Sequence, residues 1–92
     1  MMVAAGIEIA QVFGANLARA RDRVKLSQEE VGFRASLHRT EVGQLERRIR
    51  LARIDTVVKL AGALGVPPGS LLDGMAWKPG DFRPGEFSIG ES

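Results

Sequence analysis

The sequence predicts an all-α domain of five short helices followed by a short C-terminal extension. Three observations carry that reading. Between Phe13 and Leu72 the apolar residues recur at three- and four-residue spacings. Residues that start and stop helices stand at the ends of those stripes, Ser27 with Glu30 at one place and Gly65 at another. No period-two alternation interrupts them, and the connections are short.

Ile9, Phe13, Leu17, Ala20 and Val24 form one apolar stripe of a first helix that ends near Val24. Gly14 softens its start. Arg19, Arg21, Arg23 and Lys25 load its C-terminal end, where cations complement the helix dipole. Ser27 and Glu30 make a capping box, so a second helix is expected from Gln28 to about Ala35, with Val31 and Ala35 inward. Gly32 has no side chain and lets another helix cross closely; Ser36 and Leu37 form the turn. A third helix, from about His38 to Arg47, turns Val42, Leu45 and Ile49 toward the core. Asp55 caps a fourth, with Ile54, Val57, Leu60, Ala61 and Leu64 inward and Gly65 at its end. The run from Val66 to Leu72 reads as a turn into a short fifth helix at Pro68–Leu72.

Packing the third helix by Val42 and Leu45 leaves Arg39, Thr40, Gly43 and Gln44 on its outer face. Arg39 can fork onto guanine O6 and N7, Gln44 can pair with adenine, and the Thr40 methyl can meet thymine. Gly43 would let the helix approach a nucleic acid closely. Taken singly, each of these residues is as well explained by solvation. Arg47, Arg48, Arg50 and Arg53 then crowd one loop. Like charges this dense repel one another, and phosphate is the usual reason for them.

The formal net charge of +2 conceals an asymmetry. Phe13–Leu72 holds eleven Lys/Arg against six Asp/Glu, a local +5, while 73–92 holds two against four. A basic body with a mildly acidic tail suits a polyanion surface. With no cysteine and one histidine, the chain offers no disulfide, no zinc–thiolate cluster and little acid–base material. No nucleophile–base pair or phosphate-binding glycine loop is present, so no catalytic residue, metal or cofactor is expected. The N-terminal MMVAAGIEIA lacks a basic n-region and is too short to span a membrane, which leaves the cytoplasm as the expected location.

The motifs LSQEE, LHRTEVGQLER and IDTVVKLAGALGVPPGSLL, in that order, resemble the lambda-repressor-like helix-turn-helix domain of the Xre family. The resemblance covers 13–72, with 1–12 as an extension of the first helix and 73–92 as a tail. It implies double-stranded DNA as partner. A lone domain of this size makes few base contacts, so a homodimer on a palindromic operator is expected. It places Arg39, Thr40 and Gln44 where bases are contacted, and His38 and Arg47 where backbone is contacted. It implies that Gln28 touches a phosphate and braces the recognition helix. Arg48 and Arg50 join the phosphate set through the loop's charge. The resemblance also pairs Arg21 with Glu46 as a buried structural ion pair. The glycines usual in the family before LSQ and in the turn are Lys25 and Ser36 here, so both turns need a less favourable conformation. Arg48 replaces the glycine after the Glu-Arg pair and Leu51-Ala52 the Asn-Pro further on, so the loop departs from the family's course.

The tail repeats itself: Lys78-Pro-Gly-Asp-Phe82, then Arg83-Pro-Gly-Glu-Phe87. Each Pro-Gly favours a type II turn. Trp77, Phe82 and Phe87 are too apolar to prefer water, and either fold back on the domain's own core or dock on a second subunit, with Glu86–Ile89 as a short strand. The expected function is a sequence-specific transcriptional regulator, a repressor that blocks a promoter sterically. The alternative is an interaction module, such as an antitoxin whose tail grips a toxin while its helices bind its own operator.

Overall fold

The structure, a computed structural model, describes residues 2–90, with side chains from residue 8 to residue 90. Four α-helices, a 3-10 turn and a two-stranded hairpin follow in order: α1 (Met2–Arg23), α2 (Gln28–Ala35), α3 (Arg39–Glu46), α4 (Ile54–Leu64), the turn Pro68–Leu72, β1 (Met75–Lys78) and β2 (Glu86–Ile89). The expected fifth helix is thus a single 3-10 turn, and the domain carries a small sheet beyond its helices. Five residues beginning at a proline close i→i+3 bonds and then run into Asp73, whose extended backbone ends the turn.

One core holds the helices together. Phe13, Leu17 and Ala20 of α1 meet Val31 and Ala35 of α2, Val42 and Leu45 of α3, and Leu60, Ala61 and Leu64 of α4, with Leu71 closing the far side. Burying a leucine or valine side chain of this kind stabilises by about 1.5–3 kcal/mol. Asn16 is also buried, and its Nδ2 donates to the carbonyls of Leu71 and Asp73 at 3.0 Å each, which stitches α1 to the 3-10 turn. Gly14, far from softening the helix start, lies buried in the middle of α1. A Cβ there would fall 2.5 Å from the Leu45 carbonyl oxygen, so the missing side chain is what lets α1 reach the end of α3.

The caps follow local chemistry. Ser27 Oγ accepts from the Glu30 backbone N–H at 3.0 Å, and Glu30 accepts from the Ser27 backbone N–H at 2.9 Å. That backbone bond, with the Ser27 hydroxyl, holds the Glu30 carboxyl below the usual carboxylate range. At α4 the expectation fails. Arg53 is the N-cap and makes no side-chain cap, while Asp55 lies inside the first turn and accepts from its neighbour Thr56 N–H. Thr56, Leu60 and Leu64 share the buried face, and Ile54, about 200° around the helix from Thr56, is 85% exposed. Ile49 and Val24 are likewise exposed, because each lies beyond the last residue of its helix.

Lys25, Ser36 and Arg48 all adopt left-handed backbone, with φ of 58°, 57° and 69°. These are the three places where glycine would be the easy residue, and each ends a helix or the turn after it. Neither Gly80 nor Gly85 has positive φ, so the Pro-Gly pairs do not make type II turns. They sit in the connection of an antiparallel hairpin registered Met75↔Ile89 and Trp77↔Phe87. Met75 packs against the core, whereas Trp77 and Phe87 pack edge-on against each other at 5.1 Å and stay partly exposed. Phe82, in the connection, is fully exposed. The tail aromatics therefore do not cover the domain's own core, and the two sequence repeats take unlike conformations.

Candidate nucleic-acid interface

The candidate interface is built on α3, which is held in the core and at both ends. Val42 and Leu45 anchor it in the core. At its start, His38 is the N-cap, and its Nδ1 accepts from the Thr40 backbone N–H at 3.1 Å. At its end, Glu46 receives two N–H groups from Arg21, Nε to Oε2 at 2.6 Å and Nη2 to Oε1 at 2.9 Å. Gln28 Nε2 donates to the same Oε1 at 3.0 Å, so the opening residue of α2 is bound to the closing residue of α3. Arg21 Nη1 also donates to the Leu26 carbonyl at 2.8 Å. The Glu46 contact raises the Arg21 pKa against the opposing effect of burial, so the guanidinium stays charged.

The turn between α2 and α3 is tight for a physical reason. Ser36 in left-handed backbone lets Leu37 N–H bond the Gly32 carbonyl at 2.8 Å. A Cβ on Gly32 would fall 2.8 Å from the Leu37 carbonyl oxygen, so the corner closes only on glycine. Gly43, by contrast, does not face outward. It is buried against α2, where a Cβ would meet Gln28 Oε1 at 3.3 Å and Arg47 Nη1 at 3.4 Å. Its role is the α2–α3 crossing and not approach to a ligand.

What remains on the front of α3 is Arg39, Thr40 and Gln44, the first two exposed and Gln44 half-buried. Arg39 Nη1 lies 3.1 Å from Glu29 Oε2 across the turn. Arg50 Nη1 donates to Gln44 Oε1 at 3.1 Å, and its Nη2 lies 3.9 Å from Glu41 Oε2. Sequence reasoning missed Glu29, Glu41 and Asn16. A contact ten residues apart across a turn leaves no periodic trace, and a buried asparagine looks like any polar residue on a helix. Arg47, Arg48, Arg50 and Arg53 are all exposed on the segment after α3. The arrangement presents planar hydrogen-bonding side chains on a rigid helix, flanked by a cationic segment. Such a face can read base edges while the arginines grip phosphates.

A short helix braced across a tight turn, with its polar front on the surface, defines a helix-turn-helix DNA reader. The chain belongs to the helix-turn-helix family HTH_3, whose model matches residues 17–71. It is 38% identical over 63 residues to the control protein C.BamHI of Bacillus amyloliquefaciens, spanning 67% of this chain and 78% of that one. It is 33% identical over 66 residues to the control protein C.SmaI of Serratia marcescens, spanning 72% and 79%. The crystal structure of the restriction-modification controller protein C.AhdI from Aeromonas hydrophila superposes with a TM-score of 0.69 at 35% identity, over 71% of this chain and 94% of the other. The protein is a DNA-binding transcriptional regulator of the Xre-like helix-turn-helix type. No helix among the described residues is long and apolar enough to cross a membrane.

Proposed function

We propose that this regulator is the controller of a restriction–modification system, acting in the cytoplasm as a homodimer on a palindromic operator and repressing by covering promoter elements. The observation that carries it is the front of α3: Arg39, Thr40 and Gln44 stand on a helix braced at both ends and are followed by a row of arginines. The likeness to three control proteins at 33–38% identity supports the controller role. The toxin-partner alternative has no comparable support.

In this reading Arg39 forks onto guanine, Gln44 pairs with adenine and Thr40 meets a thymine methyl. His38, Arg47, Arg48 and Arg50 hold phosphates, and Gln28 adds a phosphate contact while bracing Glu46. One domain of this size makes few base contacts. Twofold symmetry doubles them, with half-sites about one helical turn apart. The phosphate contacts make affinity steeply salt-dependent, and the α3 side chains supply the preference.

The test is selection of bound sequences from a random duplex pool at two salt concentrations, with the mass of the complex measured by sedimentation. A palindrome, a dimer on it and an affinity that falls steeply with salt are expected. Recovery of no motif, with weak and salt-insensitive binding, would overturn the operator reading.

A further inference from the structure

Glu29 stands where a carboxylate has a cost. It occupies the second position of α2, is exposed, and lies on the side of the turn from which α3 presents Arg39. On a surface that meets phosphates, a negative charge lowers affinity for every duplex. Fully solvated ion pairs stabilise a fold little, and this pair is 67% and 73% exposed at its two side chains, so stability does not explain it. As an acid in the first turn Glu29 complements the helix dipole, but Glu30 already supplies a carboxylate there and completes the capping box with Ser27, so the helix start does not depend on it.

What Glu29 does hold is the guanidinium. Its Oε2 takes a hydrogen bond from Arg39 Nη1 at 3.1 Å. An arginine side chain on a helix front has many rotamers, and ordering it on binding costs entropy. A carboxylate that engages one of its five N–H donors removes much of that freedom, and it leaves the other donors for a base. The neighbours share the pattern. Gln44, the other long side chain on the front, is held by Arg50. Both long side chains at the base-reading positions are thus held by a neighbour, but only Arg39 is held from another helix.

We propose that Glu29 is a specificity-determining positioning residue: through its contact with Arg39 Nη1 it fixes the guanidinium for bidentate recognition of a guanine, at the expense of general DNA affinity. This rests on the reading of α3 as a base-contacting helix. The experiment measures dissociation constants by fluorescence anisotropy, at one fixed salt concentration, for the selected duplex and a scrambled duplex. The proteins are wild type, Glu29→Gln, Arg39→Ala and the double variant, each with its melting temperature recorded.

Glu29→Gln is expected to melt within a degree or two of wild type and to bind the scrambled duplex more tightly. Its ratio of selected to scrambled affinity should fall about tenfold, within the range one bidentate contact commands. In the Arg39→Ala background the same substitution should shift both affinities alike and leave the ratio unmoved. An unchanged ratio in Glu29→Gln, or an equal fall in both backgrounds, overturns the positioning role while leaving the operator reading intact. A wild type with no preference for any sequence overturns the operator reading, and the positioning role with it.

Discussion

Two arginine–carboxylate pairs tie the helix-turn-helix together, alike in chemistry and opposite in setting. Arg21 and Glu46 are 18% and 8% exposed at their side chains and meet through two hydrogen bonds, with Gln28 and the Leu26 carbonyl satisfying further positions. Arg39 and Glu29 are 67% and 73% exposed and meet through one. In the first pair, water cannot replace a lost partner; in the second it can. Burial therefore turns one pair into scaffold, and solvent leaves the other free to exchange partners when DNA arrives. The buried pair joins α3 to α1 and the exposed pair joins α3 to α2, so the same chemistry at the two ends of one helix is divided by depth.

The sharpest way to break this comparison is to remove one carboxylate from each pair. Glu46→Ala leaves the Arg21 guanidinium half-satisfied in a site built for an anion, and should cost about 3–5 kcal/mol of stability. Against the roughly 5–15 kcal/mol that a domain commands, much of the chain would be unfolded at moderate temperature. Glu29→Ala should cost within about 1 kcal/mol. Urea titration followed by circular dichroism reads both. The double variant Arg21→Met with Glu46→Leu should recover a large part of the loss, since matched apolar side chains often replace a buried pair well. Equal destabilisation by Glu46→Ala and Glu29→Ala would remove the distinction.

Arg50 sharpens the exposed side of the comparison. It reaches Gln44 at 3.1 Å and stands among the arginines after α3. Arg50→Ala should weaken binding to all duplexes by roughly 1.5 kcal/mol, about tenfold, as loss of one charge-assisted bond implies. It should also flatten the dependence of log affinity on log salt by about one phosphate's worth. An unchanged slope would assign Arg50 to holding Gln44 alone and strike it from the phosphate set.

The helices and their buried faces were legible because each is written in a local pattern. Val31, Ala35, Val42 and Leu45 follow helical spacing, and Ser27 with Glu30 announces a helix start. What escaped was set by tertiary geometry. Gly43 looks like an outward residue by elimination, yet the crossing with Gln28 buries it. Asp55 looks like a cap, but the chain enters α4 two residues earlier, which rotates Ile54 into solvent. The two Pro-Gly-x-Phe repeats promise equivalent turns, and hairpin register at Trp77↔Phe87 puts one phenylalanine in a strand and the other in the connection. Of the candidate site, residue types and spacing point to Arg39, Thr40 and Gln44. Their partners Glu29 and Arg50 emerge only when the turn and the following loop are folded.

The turn itself offers the smallest and most discriminating test. Ser36 ends α2 at φ 57°, ψ 41°, a conformation that costs an L-residue roughly 1–2 kcal/mol and glycine nothing comparable. Glycine gives some of that back through the greater freedom of the unfolded chain. Ser36→Gly should therefore stabilise by about 1 kcal/mol or less, seen as a small rise in melting temperature. The backbone bond from Leu37 N–H to the Gly32 carbonyl, at 2.8 Å, needs no side chain at this position, so the placement of α3 should not change. Neither ion pair uses the serine hydroxyl. The variant should gain stability while keeping the same ratio of selected to scrambled DNA affinity. A shifted ratio would mean that the corner, and not Glu29 alone, sets where Arg39 points.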